Sequence, residues 1–229
     1  MLDTGNSKPK VYPLRSILPN VRPILDEHID EMLKYGIIVH STSPWGAAVV
    51  IVPKAEPGTF RVAIDYKLLN SVTLCRDTYP LPRINDSLAS LAGNQFFTAL
   101  DACQGFYQIP MASKQDREKT AFRCHRGSFE FTRMPFGIIN GPQHFQRYMD
   151  SVLGGMLFKC ALCYIDDILV MSPTFEQHLK DLESVFDALR KAGIHLKAKK
   201  CEFAMSEVKY LGHIVGVDGI RPDPVKTRL

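Results

Sequence analysis

Asp166 and Asp167 stand side by side between two strongly apolar stretches, Cys160 to Tyr164 and Ile168 to Met171. Two carboxylates at the turn of a tight hairpin concentrate negative charge where the core solvates it poorly, and such charge calls for a cation. Ligands made only of oxygen favour a hard ion such as Mg²⁺, which keeps several water or phosphate ligands and needs only one or two protein carboxylates. A third acid, Asp101, ends the apolar run from Phe96 to Leu100, and an antiparallel sheet would bring it beside the pair. Three carboxylates suffice for two metal ions about 4 Å apart, the arrangement that activates an attacking hydroxyl and stabilises the leaving oxygen of an in-line phosphoryl transfer. The chemistry expected is nucleotidyl transfer. Adjacent aspartates also make an ordinary polar turn, and these residues alone leave both readings open.

The surrounding pattern supplies elements that would position the acids. Apolar spacing from Ile24 through Leu25, Ile29, Met32 and Leu33 predicts an amphipathic helix, with Asp26 as its N-cap and Gly36 as its stop. Ala47 to Val52 and Phe60 to Ile64 read as a hairpin whose tip carries Lys54, and Thr120 to Cys124 with Ser128 to Arg133 read as a second one. Tyr79 to Pro82 form a turn before a short helical pattern, and Phe145, Met149, Val152 and Leu153 mark a longer helix. From Phe175 to Ala192 the pattern places Leu179, Leu182, Val185, Phe186 and Leu189 on one face and stops at Gly193. Residues 1–22, with Gly5, Pro9, Pro13 and Pro19, read as an extended lead-in rather than a packed element. The expected fold class is α+β with mostly antiparallel strands.

A chain of 229 residues, 45% of them hydrophobic, can bury a real core, as one domain or two small ones. Its 28 Lys and Arg against 24 Asp and Glu suit a polyanionic partner without requiring one. The six cysteines are scattered and no signal-peptide pattern opens the chain, so a reducing interior without disulfides is expected. Cys160 and Cys163 have metal-like spacing, but inside an apolar run and without a second pair they read as buried small hydrophobes. No apolar run is long enough to span a bilayer, so no membrane partner is expected.

Tyr164, Ile165, Asp166 and Asp167 followed by Ile168, Leu169 and Val170 resemble the signature hairpin of reverse transcriptases, and further blocks agree in order. Phe60 to Asn70 are similar to the family's fingers motif, Leu100 to Gln108 to its first catalytic motif, and Met134 to Asn140 to the next. Lys200 to Phe203 and Tyr210 to His213 resemble the last two. With Ser43, Pro44 and Trp45 upstream, the wording is most similar to gypsy-type long-terminal-repeat retrotransposons, with retroviral enzymes a second fit.

The resemblance implies a right-hand polymerase fold: fingers over 23–78 and 110–140, palm over 79–109 and 141–229, ending before a thumb. It implies an RNA-directed DNA polymerase that extends a primer on an RNA or DNA template with deoxynucleoside triphosphates, as part of a Pol polyprotein continuing into thumb and RNase H. Asp101, Asp166 and Asp167 would hold two Mg²⁺ ions, or Mn²⁺ in their place, with the backbone carbonyl of Ala102 as a further ligand. Arg61 would grip the incoming triphosphate through its fixed fork of donors, assisted by Lys54. Phe106 would lie under the sugar as a gate against a 2′-hydroxyl, and Phe136 and Gly137 would border the nucleotide. Tyr164 with the Leu211, Gly212 and His213 turn would steady the primer end. Kinship also implies a cytoplasmic virus-like particle.

Three departures from the family pattern bear on template and fingertip contacts. Lys67 replaces an arginine, Ala55 a second lysine, and Gln143 with His144 a commoner Ala and Thr pair. Asp3, Thr4 and Gly5 spell the triplet of retroviral aspartic proteases, but only two residues precede them and a Pro-studded stretch follows, so a protease is rejected. The remaining rival is a palm that binds nucleic acid without catalysis, against which the intact set of Asp101, Asp166, Asp167 and Arg61 argues.

Overall fold

The structure, a computed structural model, describes residues 2–53 and 59–224. Lys54 and the expected fingertip turn lie outside the described residues. In chain order the first elements are α1 (Arg22–Lys34), β1 (Ile38–His40), β2 (Ala47–Pro53), β3 (Phe60–Asp65), α2 (Lys67–Val72), α3 (Ile84–Ala89), β4 (Phe96–Asp101) and α4 (Lys114–Lys119). There follow β5 (Phe122–Cys124), β6 (Gly127–Phe131), α5 (Gly141–Leu153), β7 (Ala161–Tyr164), β8 (Asp167–Ser172) and α6 (Phe175–Ala192). The last four strands are β9 (Glu202–Met205), β10 (Glu207–Tyr210), β11 (His213–Gly216) and β12 (Gly219–Pro222). The chain divides into two compact units, Met1–Asp77 with Phe106–Gly141, and Thr78–Gly105 with Pro142–Leu229.

The first unit is built on a five-stranded sheet in the order β1-β6-β5-β2-β3, antiparallel except for the β2–β5 pair. Phe122 packs on Phe129 and Phe131, with ring centroids 5.6 and 5.4 Å apart, and all three are buried. Burying each such ring contributes on the order of 2 to 3 kcal/mol. Helix α1 buries Leu25, Ile29 and Met32. It begins earlier than expected, with Pro at its N-terminal end and Val21 as an N-cap that makes no side-chain bond. Asp26 is therefore not a cap: it lies within the helix and pairs with His125 at 2.9 Å. Gly36, with φ of 63°, takes the left-handed position just past the helix end, which favours glycine.

The lead-in is extended, but it is packed. Leu2 is 1% exposed, its N–H donates to the buried Asp116 at 2.8 Å, and its carbonyl accepts from Lys119. Farther along, Tyr12 N donates to Gly46 O and Gly46 N to Lys10 O, tying the segment alongside the start of β2. Thr4 of the protease-like triplet is buried, while Asp3 accepts from Gly5 N in a local turn.

The second unit holds a four-stranded antiparallel sheet, β7-β8-β4-β9, and a three-stranded one, β10-β11-β12. Phe97, Leu162, Leu169 and Met171 of the first sheet form one core cluster with Val208, Tyr210 and Val215 of the second and with Leu88 and Leu91. Helix α6 packs on β8 and β4. It is capped by Thr174, whose side chain accepts from Gln177 N, and ends at Gly193 in the left-handed conformation. Its buried face keeps Leu182, Val185 and Leu189 as expected but gains His178 and loses Leu179. His178, Leu182, Val185 and Leu189 point inward, while Leu179 is 53% exposed.

Inside that face the His178 ring is bound on both nitrogens, Nε2 at 2.7 Å from Thr98 Oγ1 and Nδ1 at 3.0 Å from Ser172 Oγ. Thr98 already accepts from Ala204 N, and Ser172 donates to Asp181, so the hydroxyls complete a polar chain that satisfies the buried imidazole. Burial holds the His178 pKa below its ordinary value.

Candidate active site

The three aspartates meet in the second unit through strand register. Strands β4 and β8 pair antiparallel with Asp101 opposite Asp167, and β7 and β8 pair with Tyr164 opposite Asp167. Ile165 and Asp166 are thus the two residues of the hairpin turn. Ala102 N donates to Asp166 O at 3.3 Å, which ties the end of β4 to the turn. Ala102 is buried and half of an isolated bridge with Leu196, so its side chain has little to do with the site's chemistry.

Asp166 Oδ1 is buried and has no hydrogen-bond partner among the described residues. Burial, and then the neighbouring charges of Asp167 and Asp101, push its pKa up to about 6, against the opposing effect of Lys200. An unpartnered carboxylate oxygen beside two more carboxylates fits a hard divalent cation. Lys200 Nζ lies 2.7 Å from Asp101 Oδ2 and takes the place of a counter-charge on that side. Among the described residues no three His, Cys, Asp or Glu side chains converge into a ready-made metal shell.

A cleft of about 580 Å³ opens beside the acids, lined by Asp101, Asp167, Lys200, Tyr210, Leu211 and Gly212. Leu211 and Gly212, with φ of 47° and 81°, form the two-residue turn between β10 and β11, where both central residues take positive φ. His213 opens β11, outside the lining of that cleft, and its Nδ1 lies 3.2 Å from Leu211 O. The structure therefore gathers Asp101, Asp167, Leu211 and Gly212 around one opening. Gly105 closes on the same acids: a Cβ there would lie 2.5 Å from Asp166 Oδ1 and 2.8 Å from Phe145 Cζ.

Arg61, Phe106, Phe136 and Gly137 belong to the first unit. Arg61, Tyr107, Phe136 and Gly137 line a cleft of about 370 Å³ together with His28 and Met32 of α1. The ring centroids of Phe106 and Phe136 are 4.8 Å apart, and Tyr107 meets Phe136 edge-on at 5.2 Å. Phe106 is 7% exposed and packs so closely on Gly141 that a Cβ there would lie 2.9 Å from its ring. Burial pushes the Tyr107 hydroxyl up to about 12, with Arg61 pulling the other way.

Several residues that hold these parts carry no role in the sequence reading. Asn70 Nδ2 donates to Gly137 O and Asn70 Oδ1 accepts from Ile139 N, both at 2.9 Å, so one side chain braces the loop at Gly137, whose φ is 90°. Tyr66 OH donates to Thr120 O at 2.8 Å. Lys200 was part of a recognised block but not of the carboxylate set, and only the fold brings it to Asp101.

The reverse transcriptase (RNA-dependent DNA polymerase) family profile matches residues 52–215, more than half of the chain. The chain belongs to the reverse transcriptase family. It is 38% identical over 233 residues to the Retrovirus-related Pol polyprotein from transposon 297 and 41% identical over 228 residues to that from transposon opus, both of Drosophila melanogaster. The Transposon Tf2-3 polyprotein of Schizosaccharomyces pombe is 38% identical over 211 residues. These alignments take in 100%, 97% and 92% of this chain but only 22%, 22% and 15% of the relatives, so the chain spans about a fifth of their length.

Among solved structures, the foamy viral protease-reverse transcriptase in complex with an RNA/DNA hybrid superposes with a TM-score of 0.88 at 27% identity, covering 97% of this chain and 29% of that one. The same viral reverse transcriptase in complex with double-stranded DNA gives 0.88 and 27%, covering 98% and 39%. The fold is that of reverse transcriptase fingers and palm, as the resemblance implied, and the similarity to gypsy-type elements holds in the transposon relatives. No helix among the described residues is long and apolar enough to cross a membrane.

Proposed function

We propose that this chain carries the polymerase centre of a retrotransposon Pol polyprotein and copies an RNA or DNA template by adding deoxynucleotides to a primer. The carrying observation is the register that sets Asp101 opposite Asp167, with the orphaned Oδ1 of Asp166 at the same turn. The first compact unit, with Arg61, is assigned as fingers, and the second, with the aspartates, as palm; Phe106, expected in the palm, falls with the first unit.

Asp101, Asp166 and Asp167, with the backbone carbonyl of Ala102, would hold two Mg²⁺ ions, with Mn²⁺ able to substitute; bound there, such ions activate the primer hydroxyl and neutralise charge on the leaving oxygen. The chain's own groups do the rest. Arg61 offers a planar fork of donors to the triphosphate, which favours bidentate contacts that a lysine cannot make. Phe106, held by Phe136 and Gly141, presents a rigid ring under the sugar, so a 2′-hydroxyl meets bulk rather than water. Phe136 and Gly137 border the nucleotide. Tyr164, Leu211, Gly212 and His213 steady the primer end. Lys and Arg contacts to phosphates supply affinity with little sequence preference. A longer polyprotein with thumb and RNase H, acting in a cytoplasmic particle, completes the assignment by kinship.

Primer extension on oligo-dT-primed poly-rA with Mg²⁺ or Mn²⁺ tests this against the Asp166→Asn variant. Extension by the chain and its loss in the variant are expected. Absence of extension in both, with salt-sensitive binding retained, favours a module that binds nucleic acid without copying it.

A further inference from the structure

The hairpin that presents Asp166 and Asp167 has an unfavourable backbone. Ile165 occupies its first central position with φ of 55°, and Asp166, the second, is not among the positive-φ residues. That pattern belongs to turns in which glycine leads, and a β-branched residue there is a strained outlier. Such a conformation persists only where the surroundings over-determine it.

Gln146 of α5 supplies that constraint. It is 0% exposed, and its amide makes three hydrogen bonds. Oε1 accepts from Ile165 N at 2.7 Å, while Nε2 donates to Cys163 O at 3.0 Å and to Asp150 Oδ1 at 2.8 Å. One side chain thus grips the hairpin backbone on both sides of Tyr164. The orientation of the amide is unambiguous, because Cys163 O and the Asp150 carboxylate accept only, whereas Ile165 N–H donates only. Asp150 is itself fixed from its other oxygen by Tyr79 OH at 2.6 Å, and the Arg147 guanidinium lies 4.8 Å over the Tyr79 ring. The Pro-rich turn at Tyr79 is thereby wired to the carboxylate hairpin.

We propose that Gln146 is a positioning residue for catalysis: held by Asp150 and Tyr79, it locks Ile165 in its left-handed conformation and so fixes the direction in which Asp166 and Asp167 present their carboxylates. This rests on the polymerase reading above.

The test compares the chain with Gln146→Met, which keeps the volume and removes all three hydrogen bonds, in single-nucleotide incorporation on oligo-dT-primed poly-rA. Because an ångström of misplacement at reacting groups costs on the order of a hundredfold, kcat is expected to fall at least about tenfold. KM for dTTP and the Kd for template–primer should stay within about twofold, since the interaction lost matters to the reacting geometry alone. Mn²⁺ binding to the nucleic-acid-free chain, followed by electron paramagnetic resonance of the free ion, should weaken severalfold. Asn tolerates the left-handed region, so Ile165→Asn added to Gln146→Met should restore at least about threefold of the lost kcat.

Extension and Mn²⁺ binding by Gln146→Met within about twofold of the original chain overturn the positioning role. So do losses of kcat, template–primer affinity and thermal stability in parallel that Ile165→Asn leaves unrelieved, because they mark Gln146 as a packing residue. If the unaltered chain does not extend, the polymerase reading fails, and the Mn²⁺ comparison alone decides the role of Gln146.

Discussion

Lys200 donates to Oδ2 of Asp101 at 2.7 Å, and that hydrogen bond holds the lysine's pKa above its ordinary value. The ammonium stands where a divalent cation would be drawn. The pair is largely exposed, and exposed ion pairs contribute at most about 1 kcal/mol. Lys200→Met should therefore leave the Tm nearly unchanged while tightening Mn²⁺ binding severalfold, because a competing positive charge has gone. A Mn²⁺ titration checks this. Weaker binding in the variant would show that Lys200 supports the site rather than competing for it.

The raised pKa of Asp166 makes the metal-free site a stability cost at neutral pH. Its folded value, about 6, lies above the ordinary 3.8, chiefly through burial and then through Asp167 and Asp101. A carboxyl of this kind favours folding when protonated, below the unfolded pKa, and that contribution is lost as pH rises through about 6. Asp166→Asn should thus stabilise the metal-free chain at pH 8, by on the order of 1 to 2 kcal/mol after allowance for solvent screening, and by little near pH 4. Urea unfolding in EDTA at the two pH values measures the difference. An equal effect at both would contradict it.

Gly105 leaves no room for a side chain, since a Cβ would meet Asp166 Oδ1 at 2.5 Å and the Phe145 ring at 2.8 Å. Neither neighbour is the loose end of an exposed side chain: Phe145 is fully buried, and the Asp166 turn is held by β7 and β8. Gly105→Ala is expected to cost about 1 to 3 kcal/mol by overpacking and to displace Asp166, lowering extension at least about tenfold. Activity close to that of the unaltered chain would show that the turn yields.

Leu2 anchors the N-terminal segment to the first unit, with its side chain buried and both its backbone groups bonded to α4. Leu2→Ala is expected to destabilise the chain by about 2 to 5 kcal/mol, in the range of buried leucine truncations. Thermal unfolding would reveal it. A shift of under a degree would mean that the segment contributes little to the fold.

What was legible in the sequence follows from periodicity and chemistry. Helix α6 runs from Phe175 to Ala192 as the pattern predicted, because its apolar spacing is regular and Gly193 ends it. The end of β4 at Asp101 and the carboxylate hairpin were also readable, since apolar runs broken by acids have few other meanings in a sheet, but Asp167, expected in the turn, is the first residue of β8. On the buried face of α6, Leu182, Val185 and Leu189 were legible but His178 was not: it counts as polar in any hydropathy pattern, and only Thr98 of β4 and Ser172 of β8 make its burial tolerable.

Leu2 escaped for a different reason. A single leucine in a Pro-studded stretch has no period, and its partners Asp116 and Lys119 are more than a hundred residues away. Gln146 is similar: it lies beside the apolar stripe of Phe145 and Met149, and only the returning hairpin gives its amide a purpose. Asp26 misled as a cap because acids near a helix start have that role often, whereas here the N-cap is Val21, five residues earlier, with Pro23 in the first turn.

The most direct measurement of the central claim is single-turnover incorporation of dTTP on oligo-dT-primed poly-rA with Mg²⁺, comparing the chain with Asp101→Asn. The account predicts incorporation by the chain, abolished by EDTA, and a loss of at least about a thousandfold in the variant while salt-sensitive binding of template–primer is unchanged in both. Incorporation by Asp101→Asn at a rate near that of the unaltered chain would contradict it.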